Sequence, residues 1–118
     1  MESILTSIKK LLGITEEYTH FDTDLIILIN TELAVLTQMG IGPVEGFSIE
    51  DKMAYWEDFI EDKQYFEPVK SFIHLRVKLI FDPPLSSHVA EAYKAKIEEL
   101  QTRLYWAAET PALQGEEE

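Results

Sequence analysis

The chain has no cysteine, which excludes disulfide stapling, thiol nucleophiles and cysteine-ligated zinc. Only five of its 118 residues are glycine, and none falls in a phosphate-cradling loop or a serine elbow. Basic residues are also scarce, at 10 Lys and Arg against 22 Asp and Glu, a net charge of −12. Nucleic-acid affinity comes largely from cations that displace counterions on phosphates. So acidic a chain is ill suited to bind DNA or RNA, or an anionic membrane surface. No apolar run approaches the roughly 20 residues needed to cross a bilayer. Lys9 and Lys10 interrupt the apolar N-terminus, so it does not read as a signal peptide and the expectation is a soluble, intracellular protein.

What the chain does have is hydrophobic content, 46% of its residues, in helical patterns. At this length one domain can bury a core without metals or disulfides. The reading is one all-α domain over 1–118, a bundle of about four to five helices, with 111–118 as a frayed acidic tail. Ile4, Ile8, Leu11 and Leu12 recur at helical spacing and Gly13 stops them, which predicts a helix near 2–12. Asp22-Thr23-Asp24 opens a second helix near 22–39, ended by Gly40 and Gly42-Pro43. Its stripe of Leu25, Leu28, Ile29, Leu33, Leu36 and Met39 is widened by Ile26 and Ile27, as in a helix nearly surrounded by protein.

Residues 49–61 read two ways. Met53, Trp56, Phe59 and Ile60 fit a helix capped by Ser48, whereas Phe47-Ser48-Ile49 fits a short extended piece. The surrounding segment is densely acidic, with eight carboxylates from Glu45 to Glu67 and only Lys52 and Lys63 opposing them. Further helices are expected near 68–81 and 87–109. The first starts at Pro68 with stripe residues Val69, Phe72, Ile73, Val77 and Ile80. The second is capped by Ser86 or Ser87 and carries Val89, Tyr93, Ile97, Leu100, Leu104 and Ala107. Phe81-Asp82-Pro83-Pro84 separates them, because two adjacent prolines cannot continue a helix. The result is a Pro-Pro-broken helical hairpin.

Chemistry is thin along this chain. His20, His74 and His88 lie in different segments without metal-ligand spacing. Glu57 with Glu61 and Asp58 with Asp62 would stand one turn apart on a helix, a spacing that can hold a divalent cation. A solvated acidic face is the simpler reading. No catalytic, cofactor or metal site can be assembled, and the expectation is a protein that is not an enzyme. The candidates are structural or interfacial: Trp56, as a core residue or an anchor, the break Phe81, Asp82, Pro83 and Pro84, and the aromatic pair Tyr105 and Trp106.

Several runs carry a resemblance. They are Val69-Lys70-Ser71-Phe72-Ile73-His74-Leu75-Arg76-Val77-Lys78-Leu79-Ile80-Phe81-Asp82-Pro83-Pro84, then Ser86-Ser87, Ala92-Tyr93, Ile97-Glu98-Glu99-Leu100, Arg103 and Leu104. Upstream stand Tyr55-Trp56-Glu57-Asp58-Phe59-Ile60, Asp24-Leu25-Ile26, Asn30 and the turn Met39-Gly40-Ile41-Gly42. Together these resemble the head–tail connector (adaptor, or head-completion) proteins of long-tailed double-stranded-DNA phages, over roughly residues 20–106. The resemblance implies a small all-α virion protein of phage or prophage origin, with no catalytic residues. It implies a homo-oligomeric ring, dodecameric as in the family, between the portal protein and a stopper or tail-completion protein. DNA would pass through such a ring without being specifically bound, and the protein would reside at the head–tail junction after assembly in the host cytoplasm. The alternative is an acidic helical adaptor or regulator that binds a basic protein as a monomer or dimer.

Overall fold

The computed structural model describes residues 2–108, so the expected tail over 111–118 and the end of the last helix at 109 lie outside the described residues. Five α-helices follow one another: α1 (Ile4–Leu11), α2 (Asp22–Gln38), α3 (Trp56–Phe59), α4 (Phe66–Phe81) and α5 (Ser87–Ala107). A 3-10 turn, Lys63–Tyr65, leads into α4. Among the described residues there is no strand, only an isolated antiparallel bridge between Ser3 and Tyr55. The all-α class is thus what the periodicity predicts.

Helix α4 is the hub, packing on α1, α2 and α5. Its Val69, Phe72, Ile73 and Val77 are buried, as the stripe requires. Leu25, Ile29, Leu33 and Leu36 of α2 and Ile4, Leu5 and Ile8 of α1 complete one core with Trp56, Phe59 and Ile60. Side-chain caps mark two helix starts: Ser3 accepts from the Thr6 amide at 3.2 Å and Ser86 from the Val89 amide at 3.4 Å. Helix α2 does not follow that expectation. Phe21 occupies its cap without a side-chain bond, and Asp22 turns instead to an ion pair with Lys9 at 2.8 Å. Nor is α2 surrounded, because Ile27 is 59% exposed. Helix α4 begins two residues ahead of Pro68, at Phe66.

The larger correction concerns 49–61. The helix there is only Trp56–Phe59, and the chain before it is an irregular loop. Asn30 decides this by clasping the Ile49 backbone: its Oδ1 accepts from the Ile49 amide at 2.8 Å and its Nδ2 donates to the Ile49 carbonyl at 3.0 Å. The carbonyl is the group that a helix starting at Ile49 would offer to the Met53 amide, which instead donates to Asp51 Oδ1 at 2.8 Å. Farther on, the Ile4 amide donates to the Ala54 carbonyl at 3.0 Å and the Trp56 amide to the Glu2 carbonyl at 3.2 Å. The loop is therefore pinned from both sides, and Met53 points outward rather than joining a stripe.

The loop also depends on Gly42, whose φ is +87°. A Cβ at this position would collide with the Phe59 ring. Gly42→Ala combines backbone strain with a core clash, so the expected loss is about 1–3 kcal/mol, measured by urea unfolding.

Candidate interaction surface

The Pro-Pro break folds α5 back along α4. Ile97 lies near Arg76 and Leu79, and Leu104 near Tyr65 and Pro68, so the two helices run antiparallel. Helix α4 stops at Asp82, whose amide donates to the Lys78 carbonyl at 2.9 Å and whose carboxylate pairs with Lys78 at 3.2 Å. Phe81 turns inward and meets Phe21 edge-on at 5.2 Å between centroids. Pro83 is exposed, Pro84 half-buried and Leu85 fully exposed. Ile80 and Val89 are exposed beside them. Helix α5 fully buries no side chain before Ile97, and only Ala90 and Tyr93 are half-buried there, so the body covers its first three turns only in part. The hairpin therefore ends in an uncovered apolar tip.

At the opposite end of α5, Tyr105 and Trp106 are 58% and 67% exposed, their rings tilted edge-on at 5.9 Å. Trp106 borders a groove of about 480 Å³ floored by Tyr65, Pro68 and Leu104. Arg103 stands on its rim and pairs with Glu99 at 2.9 Å. The Lys96 hydrogen bond, then the charges of Lys96 and Arg103, hold the Glu99 carboxyl below the usual range. Among the described residues no carboxylate lines this groove. Three other surface cavities are each bordered by acids: Glu98 in the first, Glu32 and Glu98 in the second, and Glu16, Asp22, Glu50 and Asp51 in the third. On a chain of net charge −12, an apolar groove without acids is a place where another molecule can approach without repulsion.

The acidic segment is otherwise used locally. Asp58 accepts from the Tyr55 amide at 2.9 Å and Asp62 from the Gln64 amide at 3.1 Å. Helix α3 ends at Phe59 with Ile60 extended, so Glu61 and Asp62 do not stand one helical turn from Glu57 and Asp58. Among the described residues no cluster of three or more potential metal ligands occurs, and no helix is long and apolar enough to cross a membrane.

An all-α hairpin with two uncovered apolar ends is built for contact. Comparison with protein families agrees: the family described as "Phage connector protein" matches residues 4–111. The chain belongs to that family. The comparison with curated proteins and the comparison with solved structures each returned no match. Membership identifies a phage structural protein that joins other head or tail proteins, from a structural rather than an enzymatic family.

Of the connector's sequence candidates, Trp56 is fully buried, so it faces the core and not a partner. Its indole Nε1 donates to Ser7 Oγ at 3.1 Å. The structure does not bring Tyr105 and Trp106 together with Phe81, Asp82, Pro83 and Pro84, which lie at opposite ends of the hairpin. Sequence reasoning missed two buried charges. Glu32 is 2% exposed and bonded to Arg76, and Lys9 pairs with Asp22 and donates to the Glu16 carbonyl at 3.0 Å. A signal was present in both cases. Glu32 falls on the Leu25–Ile29–Leu36 stripe and Lys9 lies four residues after Leu5, and a charge on an apolar stripe requires a partner.

His74 adds a pH dependence. Burial, then the charge of Lys78, pushes its pKa below the ordinary 6.5, outweighing a backbone hydrogen bond with Leu11. Its Nε2 is buried without a hydrogen-bond partner. The folded state therefore favours the neutral ring. The unfolded chain takes up the proton first as pH falls below 6.5, so stability present above that value is lost on acidification toward the folded pKa. Urea unfolding at pH 7.5 and pH 5 is expected to show a smaller acid loss for His74→Gln than for the wild type.

Proposed function

We propose that this connector is the adaptor subunit of a ring beneath the portal, joining the capsid to the tail and extending the DNA channel. Family membership over residues 4–111 carries the reading. The two uncovered apolar ends of the α4–α5 hairpin support it, since a ring subunit needs two different complementary surfaces. The portal protein binds on one side of the ring, and a stopper or tail-completion protein on the other. The site of action is the head–tail junction of the virion, reached from the host cytoplasm during assembly. A net charge of −12 lets DNA pass without adhering.

Native mass measurement over a wide concentration range, alone and with the portal protein, tests this reading, with negative-stain images of any large species. One closed many-fold ring is the expected result. A stable dimer that ignores the portal and captures a basic protein at fixed low ratio would replace it with the regulator. The channel role has its own test. Glu57 and Glu61 are exposed and cap nothing, so replacing both with lysine is expected to leave the fold intact and slow DNA ejection. Unchanged ejection from particles that assemble normally would remove these acids from the channel wall.

A further inference from the structure

We infer that the apolar tip of one copy seats in the Trp106 groove of the next, so that α5 carries both halves of a head-to-tail subunit contact. This rests on the ring assembly proposed above and names the surfaces that make it. Three observations carry the pairing. First, the surfaces differ in form. Leu85, flanked by Ile80 and Val89, is fully exposed on a turn, whereas Trp106, Tyr65, Pro68 and Leu104 border a concavity of about 480 Å³, roomy enough for such side chains. Second, they lie at opposite ends of one rod. A 21-residue helix separates them by about 30 Å, so a copy cannot satisfy its own groove with its own tip. A contact between unlike surfaces on every copy is heterologous, and it closes into a ring when the rotation per subunit allows.

Third, the charges fit. Each copy carries −12, so two copies repel wherever acids face acids. Among the described residues the groove has no carboxylate in its lining, and Arg103, which pairs with Glu99 on the helix surface, stands on its rim. The tip offers one acid, Asp82, exposed and shared only with Lys78. Seating the tip sets Asp82 toward Arg103 and buries apolar surface on both sides. The acid-lined cavities oppose any such approach.

The native absence of cysteine makes the test direct. Leu85→Cys and Trp106→Cys are made as single variants and as a double variant, each with wild-type circular dichroism and melting. Under mild oxidation the mixed single variants are expected to give a disulfide heterodimer, and the double variant a ladder of head-to-tail multimers. A link within one copy is excluded, since a disulfide needs Cα atoms within about 7 Å. Trp106→Asp is expected to raise the concentration needed for oligomers by more than about tenfold, as loss of an aromatic anchor does. Wild-type oligomers or portal-bound rings without the Leu85–Trp106 link would overturn the pairing and leave the connector reading standing. A chain that stays monomeric with and without the portal, and never links, would overturn both. A ladder that appears only after deletion of residues 111–118 would make the chain's own end the occupant of the groove and overturn the pairing in the full protein.

Discussion

Replacing Trp56 with alanine is expected to cost about 3–5 kcal/mol, which removes much of the stability of a domain this size. Trp56 is the largest fully buried side chain and lies where α1, α3 and the loop meet. Truncation removes its packing and leaves a cavity, and Ser7 Oγ loses the donor that reaches it at 3.1 Å. Backbone contacts make the effect spread. The Trp56 amide donates to the Glu2 carbonyl and the Ile4 amide to the Ala54 carbonyl, so α1 is docked through the same short stretch. A helix of eight residues has little stability of its own and depends on that docking. Urea unfolding is expected to show the large loss, and hydrogen exchange to show the α1 amides losing protection first. Trp56→Phe keeps most of the packing and loses the hydrogen bond, for about 1–2 kcal/mol. A cost under about 1 kcal/mol for Trp56→Ala would mean that the indole is not a core element.

Arg76→Ala is expected to cost about 2–4 kcal/mol, because it strands the Glu32 carboxylate. The Glu32 side chain is 3% exposed, and the Arg76 Nε–H donates to Glu32 Oε1. Arg76 also lies over the Phe72 ring, 5.4 Å from its centroid, so its loss removes a cation–π contact. The Arg76 side chain is 35% exposed, so solvent shares in the pair and the expected value stays below that of a fully buried one. The double variant Glu32→Leu with Arg76→Leu removes both charges and is expected to recover most of the loss. A double-mutant cycle in urea unfolding measures the coupling. Strict additivity of the two single changes would show that the carboxylate does not depend on the guanidinium.

Much of this fold is legible in the chain because its helices are marked locally. Ser86 caps α5, glycine and the double proline stop α2 and α4, and the stripe of Val69, Phe72, Ile73 and Val77 is the buried face of α4. The candidate surface is less legible. Val89 and Tyr93 continue the same spacing as Ile97, Leu100 and Leu104, yet only the last three are buried. Spacing names a helix face, and it does not say how far along the helix a neighbour reaches. Residues 49–61 fail for a related reason. Their apolar spacing fits a helix, but Asn30, nineteen residues away, holds the Ile49 carbonyl that the helix would use.

The sequence by itself determined the all-α class, the helix breaks and the acidic balance, because each follows from local backbone preference, periodicity or composition, and its residue runs carried the connector resemblance. Only the tertiary structure decided that Trp56 is core, that Glu32 and Lys9 are buried with partners, and that the two ends of α5 are left uncovered. Those outcomes depend on which distant side chain arrives at a surface, and no local pattern carries that information.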